Sequence, residues 1–213
     1  MTRRPRNTPD TSVLHAMLSI LLHYPDQRVL SQCDAIAAAL GHLGASPARA
    51  AVAGFLGWLD AHTPAAAAET YVTTFDLARR RSLHLTYYRH GDTRARGMAL
   101  LTLKHLYRRA GYPAPDSELP DFLPLILEFT VVDPDTGHDI LSRCRDGLEL
   151  LTDALHDIDS PYAPLLDTVR DTLPTLPAGE RQRLRALAAD GPPSEQVGLE
   201  PFAPPEYLTG TPR

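Results

Sequence analysis

Prolines and capping residues divide this chain into runs in which apolar side chains recur every third or fourth position. That spacing aligns one apolar face per run and limits the fold to packed helices. Leu14, Met17, Leu18 and Leu21 form the first face, with Asp10 or Thr11 as cap, an end near His23 and Pro25 just beyond. Val29, Cys33, Ile36, Leu40 and Leu43 form the second. Ser46-Pro47 and Thr63-Pro64 each place a capping hydroxyl before a proline and open helices carrying Val52–Leu59 and Ala65–Phe75. Asp92 is expected to cap a long helix ending near Ala110, with Ala99, Leu103, Leu106 and Ala110 inward and Arg94, Lys104 and Arg108 outward. Pro120 is expected to start the helix containing Phe122–Phe129. Asp135 is expected to cap one that carries Leu141, Cys144, Leu148, Leu151 and Leu155. Two shorter helices follow, around Tyr162–Leu173 and Gly179–Ala189. Ser82–Tyr88 has strand-like composition but no partner strand nearby, and no hairpin or βαβ rhythm appears. The expected class is all-α, a compact bundle-like arrangement of many helices.

The 213 residues, 43% of them hydrophobic, are enough for one buried core. The expected organisation is a flexible start over 1–10, one helical domain over 11–190 and a proline-rich, disordered tail over 191–213. Arg3, Arg4 and Arg6 before the apolar stretch Val13–Leu22 imitate a secretory signal. However, His23-Tyr24-Pro25-Asp26 stands where a small-residue cleavage site belongs, so a cytoplasmic location is expected. No apolar run is long enough to span a membrane, and no direct membrane insertion is expected. The net charge of -5 and the low aromatic content of 7% argue against a nucleic-acid partner. The charge is unevenly spread: 14 basic and 7 acidic residues up to Arg109, then 7 basic and 19 acidic ones.

No P-loop, GxGxxG, HExxH or GxSxG motif is present. His84, His90 and the His138-Asp139 pair suggest a metal-dependent hydrolase as an alternative, but such a site needs more ligands converging in space. Cys33 and Cys144 lie on apolar stripes and read as small core hydrophobes. The richest segment runs from Tyr71 to Phe129. It holds arginines at 79–81, 94 and 96, tyrosines at 87 and 88, and the acids Glu118, Asp121 and Glu128. Such a mix suits phosphate binding or internal charge pairing. Glu128 sits inside an apolar run, where burial without a partner costs several kcal/mol, so an arginine from Arg79–Arg96 is expected beside it.

Phe75-Asp76, Arg79-Arg80, Leu83, Leu85-Thr86-Tyr87-Tyr88, Gly91-Asp92-Thr93-Arg94 and Arg96-Gly97 resemble the nitrate reductase molybdenum cofactor assembly chaperones, the NarJ or delta-subunit group. Glu118-Leu119-Pro120-Asp121 and Leu127-Glu128-Phe129 resemble that family's second block, and Leu21-Leu22-His23-Tyr24-Pro25 its first helix. The resemblance covers about residues 11 to 173. It implies a cytoplasmic all-helical chaperone of the TorD-like redox enzyme maturation class, without enzymatic activity. The implied partner is the apo catalytic (alpha) subunit of a respiratory nitrate reductase, including its N-terminal peptide, a segment related to twin-arginine signals. The chaperone would assist insertion of the molybdenum bis(guanine dinucleotide) cofactor, without holding it stably, before membrane docking. Proteins of cofactor biosynthesis are further implied partners. Another molybdoenzyme of the selenate, chlorate or dimethyl sulfoxide reductase type is the alternative client. By family motif, the residues expected to bind the client peptide or brace its groove are Phe75, Asp76, Arg80, Tyr87, Tyr88, Gly91, Asp92, Arg94, Arg96, Glu118, Asp121 and Glu128. No metal ligands or catalytic residues are among them.

Overall fold

The computed structural model describes residues 9–177, 179–180, 182–184 and 186. Among them are eleven α-helices and no β-strand. They are α1 (Pro9–Leu21), α2 (Gln27–Leu30), α3 (Cys33–Leu40), α4 (Pro47–Asp60), α5 (Pro64–Tyr71), α6 (Tyr87–His90), α7 (Arg94–Arg109), α8 (Leu123–Val132), α9 (Pro134–Arg143), α10 (Arg145–His156) and α11 (Ala163–Asp171). The tail over 191–213 and most of the flexible start expected over 1–10 lie outside the described residues, and Pro9 and Asp10 already belong to α1.

Caps set the helix starts where the sequence is locally decisive. Ser46 Oγ accepts from Arg49 N–H at 3.2 Å, and Thr63 Oγ1 from Ala66 N–H at 3.2 Å, each with proline in the first turn. The α5 helix passes into a π-helical turn, Val72–Asp76, and Arg81 closes it by donating from Nε to the Thr74 carbonyl at 2.8 Å.

Several helix boundaries differ from expectation. Asp10, expected with Thr11 as the cap of the first helix, lies within α1, and the second apolar series divides between α2 and α3. Thr93, not Asp92, is the N-cap of α7, because the Asp92 carboxylate is drawn to arginine side chains. The helix expected from Pro120 begins at Leu123, because the preceding residues run extended to pair with another segment. The helix expected after Asp135 is capped by Asp133 instead, and it divides at Cys144 into α9 and α10 while keeping its apolar stripe buried.

The ambiguous Ser82–Tyr88 segment finds its partner far along the chain. Leu85 N–H donates to the Asp121 carbonyl at 3.0 Å and Leu123 N–H to the Leu83 carbonyl at 2.9 Å, around an isolated antiparallel bridge between His84 and Phe122. Gly147 lets α10 press on this junction, since a Cβ there would stand 2.1 Å from the Leu85 carbonyl oxygen.

The α8 helix packs on α1 and α9, while α11 packs on α4 and α10. Leu18, Leu22, Ile126, Leu127, Ile140, Leu141 and Leu148 are fully buried between them. An aromatic cluster of Phe55, Tyr71, Phe75 and Tyr162 fills the other side of the core.

Candidate functional site

The bridge between residues 84 and 122 carries Asp121 into the interior, where its side chain is fully buried. Its Oδ2 accepts from Thr86 Oγ1 at 2.6 Å and from Thr86 N–H at 3.1 Å, at the start of α6. Arg96 Nη2 stands 3.7 Å from the same oxygen, and His84 Nδ1 stands 3.4 Å from Oδ1. Burial by itself would push this carboxyl up. The His84 and Thr86 contacts, with Arg96, outweigh burial and hold it below the ordinary carboxylate range.

Arg96 links this buried acid to the surface. Its Nη1 lies 3.7 Å from Asp92 Oδ1, and its guanidinium lies 5.4 Å from the centroid of the buried Tyr87 ring. Arg79 reaches Asp92 from outside at 3.7 Å. Gly91 turns the chain between α6 and α7 with φ +54 and ψ -148, a conformation that side chains oppose. Tyr88 is buried, and its hydroxyl lies 3.0 Å from the carbonyls of both Arg80 and Ser82, to which it donates. Burial pushes the Tyr88 phenol up, so it stays protonated as a donor. Arg80 therefore contributes its backbone to the junction, while its side chain is exposed.

A second feature lies where the end of α1, α2 and α8 meet. A groove of about 520 Å³ runs between them, with Ile20, Val29, Val131 and Val132 as its apolar lining. His23, Tyr24, Asp26, Arg28 and Glu128 supply the polar edge. Tyr24, Val131 and Val132 remain exposed at 46%, 40% and 49%, large apolar surfaces left open to solvent. Partial burial pulls the His23 imidazole down, against the nearby carboxylates of Glu118, Glu128 and Asp26, while Arg28 adds to the lowering. Glu118 and Glu128 thus act on the same histidine.

The expected pairing of a buried Glu128 with an arginine is overturned: Glu128 is exposed on the groove edge. The buried acid that takes an arginine from the Arg79–Arg96 stretch is Asp121, through Arg96. The motif residues therefore separate. Tyr87, Asp92, Arg96 and Asp121 come together in one network, with Tyr88, Gly91 and Arg80 building its frame. Glu118 and Glu128 belong near the groove. Phe75 is in the aromatic core, and Asp76 and Arg94 are exposed. Motif reading missed His84 and Thr86 as partners of Asp121, and it missed the groove lining. The signal for the lining was the apolar pair Val131-Val132 continuing past Phe129.

The histidines proposed for a hydrolase are dispersed. His84 faces Asp121, His138 Nδ1 contacts the Pro134 carbonyl at 2.8 Å, and Asp139 pairs with Arg143 at 3.0 Å. Among the described residues no group of three His, Cys, Asp or Glu side chains is placed to hold a metal ion. His15 is fully buried, with Nδ1 2.7 Å from Thr130 Oγ1, whose own proton goes to the Leu127 carbonyl. Burial, with His138 nearby, pulls its pKa down to about 3, so it is neutral at physiological pH. Burial pushes the Cys144 thiol up to about 12, which leaves it a core residue rather than a nucleophile. No described helix is long and apolar enough to cross a membrane.

Residues 43–167 match the nitrate reductase delta subunit family. A probable nitrate reductase molybdenum cofactor assembly chaperone NarJ of Bacillus subtilis is 32% identical over 161 residues, 75% of this chain and 88% of the relative. The nitrate reductase molybdenum cofactor assembly chaperone NarJ of Escherichia coli is 35% identical over 71% of this chain and 65% of its own length. The nitrate reductase-like protein NarX of Mycobacterium tuberculosis is 40% identical over 68% of this chain but only 22% of its own length. The all-helical fold and the matched extent agree, and the chain belongs to the nitrate reductase delta subunit family.

Proposed function

We propose that this protein binds the apo catalytic subunit of a respiratory nitrate reductase in the cytoplasm, through that subunit's N-terminal peptide laid in the groove between α1, α2 and α8. It acts as an assembly chaperone, not as an enzyme, and assists insertion of the molybdenum bis(guanine dinucleotide) cofactor before membrane docking. The cofactor is cargo for the client. The observation that carries the peptide reading is the open groove itself: an apolar lining with Tyr24, Val131 and Val132 exposed, and the acids Asp26 and Glu128 on its edge. An amphipathic peptide with basic residues beside an apolar face matches that lining and those acids. The Asp121 network supports the reading as scaffold, since it ties residues 83–88 to the start of α8, the helix whose later residues line the groove.

Titration calorimetry with a peptide copying the first few tens of residues of the co-encoded catalytic subunit tests this. Wild type binds the peptide, and Val132→Asp weakens binding at least about tenfold while keeping its circular dichroism spectrum. Equal binding by folded wild type and Val132→Asp would remove the groove from the reading. No binding of either the peptide or the apo subunit would remove the proposed client.

A further inference from the structure

The basic run ahead of α1 has no part in the function proposed above. Arg3, Arg4 and Arg6 stand among residues 1–8, which hold no acid. Those residues lead directly into α1, the helix that forms one wall of the groove. The α1 and α8 helices run antiparallel, since His15 Nδ1 lies 2.7 Å from Thr130 Oγ1 and the His23 ring lies 5.4 Å from that of Phe122. The Val131-Val132 end of the groove therefore points toward the start of α1, and Glu128 lies one helical turn further along. Asp133 and the exposed Asp135 follow Val132 at that same end. Asp26 stands at the other end, where its Oδ1 caps α2 by accepting from Val29 N–H at 2.9 Å. A segment that turns back at Pro9 thus meets carboxylates before, along and beyond the apolar lining.

We propose that residues 1–8 fold back along α1 and occupy this groove when no client peptide does, with Arg6 near Val132 and with Arg3 and Arg4 level with Glu128. The arm is then a built-in competitor that an incoming client must displace. That competition rests on the proposed function, whereas the contact itself does not. The length suffices. From Arg3 to Pro9 the chain spans at most about 20 Å, and α1 rises about 16 Å from Pro9 to Ile20. The charges are complementary: three arginines face Asp135, Glu128 and Asp26, and Arg28 is the one arginine on the groove edge. The short tether keeps the arm concentrated beside the groove, so that weak contacts are enough to hold it there and a client can still displace it. A second copy of this chain is a poorer occupant, because groove against groove sets the same acids against one another. An anionic lipid surface meets those acids as well.

The test uses the full chain with isotopically labelled methyl groups. Nuclear Overhauser contacts are expected from residues 3–6 to the Val131 and Val132 methyls. They are expected to vanish in the triple variant Arg3→Gln, Arg4→Gln, Arg6→Gln. The triple variant Arg3→Lys, Arg4→Lys, Arg6→Lys keeps the charge and is expected to keep the contacts. Circular dichroism confirms that each variant folds. Titration calorimetry with the client peptide then reads the consequence. The glutamine variant is expected to bind it at least about threefold more tightly than wild type, and the lysine variant to bind it as wild type does. No contacts in wild type, or contacts that survive loss of the arginines' charge, would overturn the proposal. Contacts accompanied by equal client affinity in wild type and the glutamine variant would overturn the arm as competitor. If no form binds the client peptide, the proposed client falls, while the Overhauser contacts still decide where the arm lies. Contacts found only between labelled and unlabelled copies, with sedimentation showing a dimer, would give the groove to the arm of a second copy and overturn the fold-back.

Discussion

Asp121 and Glu128 lie seven residues apart in one block of charged and apolar residues, yet one is sealed inside the protein and the other is exposed. Asp121 is surrounded by Thr86, His84 and Arg96, and its carboxylate holds two distant segments together. Glu128 stands exposed beside an apolar groove, near the His23 imidazole. The same chemical group is scaffold in the first place and, in the proposed function, recognition edge in the second. Solvent access decides between the roles: a buried carboxylate costs several kcal/mol unless every lone pair is served, whereas an exposed one is nearly free and available to a partner.

The sharpest break of this comparison is Asp121→Ala. It leaves Arg96 partly buried without its inner partner and frees the start of α6, and a loss of about 3–5 kcal/mol is expected in urea unfolding. Glu128→Ala in the same assay is expected to stay within about 0.5 kcal/mol, and an equal loss in both would erase the distinction. Acid titration probes the interior further. The folded-state pKa of His15 is pulled down to about 3, below its unfolded value, so the unfolded chain takes the proton first. Its contribution is complete above the unfolded histidine value of about 6.5 and is lost as pH falls from there toward about 3. Asp121, also lowered, adds its loss only below the ordinary carboxylate value of about 3.9. The urea midpoint of wild type is therefore expected to fall between pH 6.5 and 4, and that of a folded His15→Phe variant to fall less over the same interval.

Gly147→Ala tests the contact that seals the network, because its Cβ would collide with backbone at Leu85. Thermal unfolding is expected to show a loss of about 1–3 kcal/mol. On the recognition side, Glu128→Lys is expected to weaken the basic client peptide several-fold at low salt and less at high salt, as calorimetry at two ionic strengths would show. The smallest effect belongs to Arg79→Ala. Its pair with Asp92 is open to water on both sides, and no more than about 0.5 kcal/mol of stability is expected to change.

The helix starts at Pro47 and Pro64 were legible because their signals are local. Ser46-Pro47 and Thr63-Pro64 satisfy the first-turn amides with an adjacent side chain, so no distant residue is needed to place α4 and α5. The solvation of Glu128 was not legible. An apolar run suggests burial on all sides, but the outward face of α8 is apolar because it lines a groove, and Glu128 shares that face with Val131 and Val132. Asp121 was among the acids expected to pair with the arginines, but nothing local marked it, and not Glu128, as the buried one.

The sequence alone therefore determined the all-helical class, the caps at Ser46 and Thr63 and the family, each of which depends on residues read within a few positions of one another or in their order along the chain. The tertiary structure decided which charges are internal and where a groove opens. Those outcomes depend on Leu83–Leu85 meeting residues 121–123 and on the end of α1, α2 and α8 coming together around one groove. Burial is a property of what packs against a side chain, and local spacing does not contain it.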